Sequence, residues 1–189
     1  LKLGIIGTGA ISHHFVDAAH TCGKFQLVAV YSRKIETAEK FASHYQDVTL
    51  FDQLEDFFKH PFDVVYIASP NSLHFSQAKT ALVAGKHVIL EKPAVTQPKE
   101  WKDLLQTAQK NQRFIFEAAR NYHEEAFATI KDFLADKHVL GADFNYAKYS
   151  SKMPELLAGN TPNVFSNRFA GGALMDLGIY PLYAAIRLF

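Results

Sequence analysis

The residues best placed to do chemistry fall in a few short runs. The first, Gly4-Ile5-Ile6-Gly7-Thr8-Gly9-Ala10-Ile11-Ser12, opens the chain. Gly7 permits a tight turn, and Gly9 removes a side chain where a phosphate must approach backbone N–H groups. Ser12 stands where the usual fingerprint has a third glycine, and it is small enough for a helix to pack on a strand. Between a buried strand and an amphipathic helix, the turn Gly7, Thr8, Gly9, Ala10 and Ile11 points to a dinucleotide cradle. A ligand-free tight turn and a methyltransferase-type turn for an adenosine cofactor are the alternatives. The second run, Val30-Tyr31-Ser32-Arg33-Lys34, bears on that choice. An NAD site places an acid here for the ribose 2′-OH, and this chain has none before Glu36. A hydroxyl and two cations suit a 2′-phosphate: Ser32 as donor, Arg33 as a bidentate or stacking clamp, Lys34 beside it. NADP(H) is therefore expected, with NAD(H) as the alternative. The bland reading makes Arg33 and Lys34 solvated residues at a helix start.

A third run holds Asp176 and Tyr180, four apart, so a helix presents both on one face. Gly171 and Gly172 precede them and leave backbone open to a ligand. Pro181 disfavours the helical conformation at Tyr180 and removes a donor, which predicts a kink or break there. Oxidising a secondary alcohol needs a base for the hydroxyl proton while hydride leaves carbon. Free Tyr and Lys titrate near about 10 and about 10.4, and a neighbouring ammonium favours the phenolate. Taken singly, a Tyr before Pro in an apolar helix is a packing residue, and an Asp near a glycine pair is a cap.

Elements to position these residues alternate along the first two thirds of the chain. Strands are predicted over Lys2–Ile6, Phe25–Tyr31, Phe62–Ala68, His87–Leu90 and Phe114–Glu117. Helical patterns lie between them: a segment running to about Thr21, then Ile35–His44, Ser72–Ala84 and Lys99–Asn111. Apolar runs joined by helices imply βαβ units and a parallel sheet covered on both faces, an α/β doubly wound fold. Residues 1–120 read as a dinucleotide-binding domain and 121–189 as the beginning of a substrate and oligomerisation domain. In that second part Glu124–Ala135 is a predicted helix and Ala142–Tyr149 a half-exposed strand, with Lys152–Asn167 a loop and helix from Ala173 onward.

Two more runs make the pattern specific: Ser69-Pro70-Asn71-Ser72-Leu73-His74, and Glu91-Lys92-Pro93 after a strand. With the glycine turn and Gly171-Gly172-Ala173-Leu174-Met175-Asp176-Leu177-Gly178-Ile179-Tyr180-Pro181, they resemble the Gfo/Idh/MocA oxidoreductase family over essentially the whole chain. The Gly-Ile-Tyr-Pro ending is most similar to its dihydrodiol dehydrogenase and sugar-dehydrogenase branches. The resemblance implies an N-terminal Rossmann domain and a C-terminal α/β domain whose open sheet covers the active site. It implies that Lys92 faces the nicotinamide and substrate, that the Lys92–Pro93 bond is commonly cis (about 5–6% of X–Pro bonds are), and that Asp176 and Tyr180 complete the catalytic set. Ala68, Ser69, Pro70, Asn71 and Glu91 would line the nicotinamide half, with His74 near the cofactor or, equally, a packing contact at a helix start. Tyr180 is assigned as general acid/base, Lys92 as polarising the substrate oxygen and tuning Tyr180, and Asp176 as orienting substrate hydroxyls or Lys92. The roles of Lys92 and Tyr180 are exchangeable on sequence grounds. Asn121-Tyr122-His123 is a further place that could reach substrate.

Composition narrows the classes. The 189 residues carry 20 Lys and Arg against 19 Asp and Glu, a net charge of +1, which offers no field for nucleic acid. Cys22 is the one cysteine, so disulfide frameworks and cysteine-based zinc sites are excluded. No histidine spacing suits a metal. The least charged stretch, Ala170 to Ile186, falls short of the roughly 20 residues that span a bilayer. The expected protein is cytoplasmic and acts on a small sugar, polyol or diol. It has no nucleic-acid or membrane partner and forms a homo-oligomer, dimer or tetramer, when full length. The length, too great for one domain and too small for two, suits the first part of a longer chain. A non-catalytic NAD(P) sensor of the same family is the competing function. Retention of Lys92, Asp176 and Tyr180 together favours the enzyme.

Overall fold

The computed structural model describes residues 1–189, which form two compact units, Leu1–Glu117 and Ala118–Phe189. In the first, strands β1 (Lys2–Ile6), β2 (Gln26–Tyr31), β3 (Thr49–Phe51), β4 (Val64–Ile67), β5 (His87–Leu90) and β6 (Ile115–Glu117) form one parallel sheet in the order β3-β2-β1-β4-β5-β6. The chain winds outward from β1 in both directions, so the order reverses between β1 and β4. In sheets of this kind, ligands bind beside the carboxyl ends of the strands at that reversal.

Five helices connect the strands: α1 (Ala10–Thr21), α2 (Ile35–Ala42), α3 (Leu54–Lys59), α4 (Asn71–Val83) and α5 (Pro98–Lys110). Leu3, Ile5, Val30, Val65, Ile67, Val88 and Leu90 are buried in the sheet, and the helices cover them with small or apolar faces such as Ser12, Val16 and Ala19 of α1. Burying one such Val, Leu or Ile side chain contributes about 1.5–3 kcal/mol. The start of α5 is set by sequence chemistry. Pro98 sits in its first turn, and Gln97 and Glu100 form a reciprocal capping box. The predicted strands and the four longer helices are therefore observed. The short β3 and α3 were not predicted, because three- and six-residue elements are too brief to show a period.

The second unit is helical: a 3-10 turn at Arg120–His123, α6 (Glu125–Leu134), α7 (Met153–Leu157), 3-10 turns at Asn163–Phe165 and Asn167–Phe169, a π-helical turn at Leu174–Gly178, and α8 (Ile179–Leu188). Residues 142–149 form no strand. Their alternation supplies a side-chain pattern, but a strand also needs a ladder partner, and this unit contains no other. The break predicted around Pro181 takes another form. The π-helical turn lies just ahead, and Pro181 falls in the first turn of α8. Such turns are a recognised source of kinks and often mark functional sites.

By length and apolar character Asn167–Leu188 (22 residues, mean hydropathy 1.3) could cross a membrane, which exceeds the stretch read from the sequence. Left-handed Ala170 (φ 52°) and Gly172 (φ 121°) interrupt its backbone. The unbroken part, 173–188, is shorter than the roughly 20 residues a bilayer needs and contains Asp176 and Arg187.

Candidate functional site

The nucleotide-type residues of the first unit all lie at one edge of the sheet. The order β2, β1, β4, β5 brings side by side the segments that follow these strands: Ser32–Lys34, Gly7–Ile11, Ala68–Asn71 and Glu91–Pro93. At the glycine turn, Gly7 has φ 104°, and a Cβ there would lie 2.5 Å from the Ala68 carbonyl oxygen. Only glycine fits that approach of two backbones. A Cβ on Gly9, by contrast, would meet nothing within 4 Å. Gly9 is the N-cap of α1 and supplies no side-chain cap, and the first turn of α1 contains no acid. Backbone N–H groups of Ala10 and Ile11, both exposed, thus face outward at the positive end of a twelve-residue helix. Ser12 is fully buried, as its packing role requires, and its hydroxyl has no hydrogen-bond partner. An open cradle with unused amides fits a phosphate-bearing cofactor.

At the end of β2, the Ser32 N–H donates to the Phe51 carbonyl (3.0 Å), and its hydroxyl bonds that of Thr37. Thr37 also donates to the Lys34 carbonyl (2.8 Å), and Arg33 and Lys34 are exposed. Thr37 was not singled out in the sequence; the signal is a hydroxyl one helical turn into α2.

Past β5, the Lys92–Pro93 bond is cis. Glu91 accepts a hydrogen bond from the Tyr66 hydroxyl (2.6 Å) and, on its other oxygen, from the Lys92 N–H (3.2 Å). Burial pushes the Glu91 carboxyl above its usual range, against the pull of those two donors and of the Lys92 charge. Tyr66 is itself buried in β4 beneath the ring of Phe15, 3.8 Å away and nearly parallel. Burial and the adjoining Glu91 push its phenol strongly upward, so it acts here as a fixed donor. Its sequence signal was a lone hydroxyl in an apolar strand, which demands a partner.

His74 requires a correction. Its ring is 1% exposed, with Nδ1 2.9 Å from the Pro93 carbonyl oxygen and Nε2 2.8 Å from that of Ser69. Both ring nitrogens are engaged by backbone, so His74 offers nothing directly to a cofactor. Ser69 also donates its hydroxyl to Gln77 (2.6 Å), and the Ala94 N–H donates to Glu117 (2.7 Å).

In the second unit, Asp176 and Tyr180 line one cleft of about 450 Å³, together with Tyr146, Lys148, Lys152 and Phe165. The rings of Tyr146 and Tyr180 lie 4.9 Å apart. Tyr146 and Lys148 were not predicted as site residues, although their spacing of two in an alternating segment puts them on one side. Of the glycine pair, Gly172 is open, whereas Gly171 packs so tightly on the Asn163 and Val164 carbonyls that a Cβ would come within 2.5 Å. Only Gly172 leaves room for a ligand. Asn121 donates to the Tyr180 carbonyl (3.4 Å), and Tyr122 packs near Tyr183 and the Arg187 guanidinium.

Comparison with known proteins finds a family and a fold. Residues 1–119 match the model of the Gfo/Idh/MocA oxidoreductase family, NAD-binding Rossmann fold. The uncharacterized oxidoreductase YgjR of Escherichia coli is 40% identical over 191 residues, which cover 100% of this chain and 58% of that protein. The scyllo-inositol 2-dehydrogenase (NADP(+)) IolU of Bacillus subtilis is 36% identical over 194 residues, again 100% and 58%. A crystal structure of an oxidoreductase from Thermotoga maritima superposes with a TM-score of 0.80 at 24% identity, over 100% of this chain and 59% of that one, a likeness of fold. The chain thus spans little more than half the length of the relatives it matches.

Proposed function

Since the chain belongs to the Gfo/Idh/MocA oxidoreductase family, we propose that it is the cofactor-binding part of an NADP(H)-dependent dehydrogenase or reductase acting on a CH–OH or C=O group of a sugar, polyol or cyclic diol. The observation that supports this reading is the order of segments along the sheet edge. Ser32-Arg33-Lys34 stands at one end, the glycine turn is next, and Ala68–Asn71 and Glu91-Lys92 follow. That sequence matches the ribose phosphate, pyrophosphate and nicotinamide ends of one extended ligand. When bound, the nicotinamide supplies the hydride acceptor or donor.

The chain's own residues do the rest. Ser32 and Arg33, with Lys34 beside them, hold the 2′-phosphate, and the absence of an acid before Glu36 leaves them unopposed. The similarity to a relative named as an NADP(+) enzyme points the same way. Amides of Ala10 and Ile11 take the pyrophosphate at the N-terminus of α1. Glu91, fixed by Tyr66, hydrogen-bonds hydroxyls at the nicotinamide end. Tyr180 transfers the substrate hydroxyl proton, Lys92 polarises the substrate oxygen, and Asp176 orients neighbouring hydroxyls. In this reading the full-length protein is cytoplasmic and homo-oligomeric; the exposed apolar set on and beside α8, Leu174, Leu182 and Ile186, supports a covering surface for the second of these.

The test is turnover by the full-length protein against a panel of polyols, sugars and cyclic diols with NADP(+). Tyr180→Phe is expected to lower kcat by about 10²–10⁴-fold, the range for loss of a general acid/base, with cofactor affinity little changed. An unaltered kcat removes Tyr180 from that role.

A further inference from the structure

Two turns must keep a fixed spacing if they are to hold one end of a ligand: 68–71 after β4 and 91–94 after β5. Their strands are in register, Ile67 opposite Leu90, and the bond from the Glu91 N–H to the Ile67 carbonyl (2.9 Å) closes the ladder between them. Beyond that point, regular sheet bonding no longer ties the turns. The ring of His74, from the first turn of α4, reaches both: Nε2 lies on the Ser69 carbonyl of one turn and Nδ1 on the Pro93 carbonyl of the other. An imidazole is rigid and carries nitrogens on two sides of a flat ring. In its neutral form it has one N–H, so it donates to one of these carbonyls and packs against the other, whereas a protonated ring would donate to both. Pro93 is buried and Ser69 half-buried, so a carbonyl left without a donor there is costly.

The flanking contacts fix the outer sides of the same two turns. Gln77, also on α4, accepts the Ser69 hydroxyl, and Glu117 of β6 accepts the Ala94 N–H. Ser69 is thus gripped by two residues of one helix, while the 91–94 turn is gripped from α4 and from β6. Glu117 is the charged side chain that faces the ring, and Ala94 backbone also bears on it.

We infer that His74 is a positioning residue that clamps the 68–71 and 91–94 turns into one body and so sets the geometry of the nicotinamide half of the cofactor site. The inference rests on the cofactor reading given above. It acts on one half of the site more than the other: Ser32–Lys34 follow another strand, and the glycine turn meets the clamped 68–71 turn only through Gly7 against the Ala68 and Ser69 backbone, ahead of the Ser69 carbonyl that His74 faces.

That separation supplies the test, made on full-length protein with two ligands: NADPH, and 2′,5′-ADP, which keeps the phosphorylated adenosine end and lacks the nicotinamide. His74→Leu removes both nitrogens at similar volume. It is expected to weaken NADPH about tenfold or more, the scale of one buried link, while 2′,5′-ADP affinity stays within about twofold. His74→Gln retains an N–H donor and is expected to give the same split at smaller size. If His74→Leu does not fold, the glutamine variant alone decides the question. NADPH affinity unchanged, or equal weakening of both ligands, overturns the assignment, since a merely structural residue moves neither ligand or both. Wild-type protein that binds neither ligand overturns the cofactor reading, and this one with it.

Discussion

Glu91 is the residue with the most to lose from its surroundings. A carboxylate held between a buried phenol and a backbone amide is hydrogen-bonded yet poorly solvated, and burial wins: its pKa lies above the usual range. The unfolded chain releases this proton at about 4.3. Stability from the neutral form is therefore full below that value and is lost as pH rises through the raised native value. Denaturant unfolding from about pH 4 to about pH 7 should show wild-type stability falling relative to Glu91→Gln over that interval. Parallel curves would contradict the burial argument. Tyr66 and His74 act at the same scale, and both do their work through backbone or through another side chain rather than on a ligand. That explains why the sequence showed them only faintly. The lone hydroxyl of Tyr66 hinted at a partner, but the orientation of His74 depends on carbonyls 5 and 19 residues away.

At the scale of elements, β1, its turn and α1 form the unit on which the proposed cofactor site is built, and its two turn glycines differ in what surrounds them. Gly7 is required by the fold, through its positive φ and its contact with Ala68; the space above Gly9 is open, and the proposed cofactor site assigns it to the ligand. Gly7→Ala should lower stability by about 1–3 kcal/mol, read as a shift in thermal midpoint. Gly9→Ala should keep a near-native midpoint and lose NADPH affinity. The reverse pattern would mean that the turn has been misread. These glycines were legible in sequence because a turn between a buried strand and a helix has few solutions. So were the strands β1, β2, β4, β5 and β6, each an apolar run bounded by turn residues. Elements of three to six residues were not, nor was the fate of 142–149, whose pairing depends on partners outside the segment. The π-helical turn at Leu174–Gly178 lies just ahead of α8 and Pro181, and no local rule names it.

Across the whole molecule, the first unit is a doubly wound sheet with a buried core, and its sequence motifs lie at the carboxyl ends of the strands around the reversal of strand order. The second unit has a cleft that joins Asp176 and Tyr180, but Tyr183 and Ala119 are its only well-buried apolar residues. The family motif made that pair legible; Tyr146 and Lys148 joined it only once the backbone was known. The chain covers a little over half of its relatives' length, so choice of substrate is a property of the longer protein. What the present residues bear on, in the reading proposed above, is the cofactor. The most direct measurement is a titration of the full-length protein with NADPH and with NADH, followed through the fluorescence of Trp101 and the tyrosines. The account predicts saturable binding of both with NADPH the tighter, and loss of that preference in Arg33→Ala. Tighter binding of NADH would contradict the assignment of Ser32-Arg33-Lys34, and no binding of either would contradict the account as a whole.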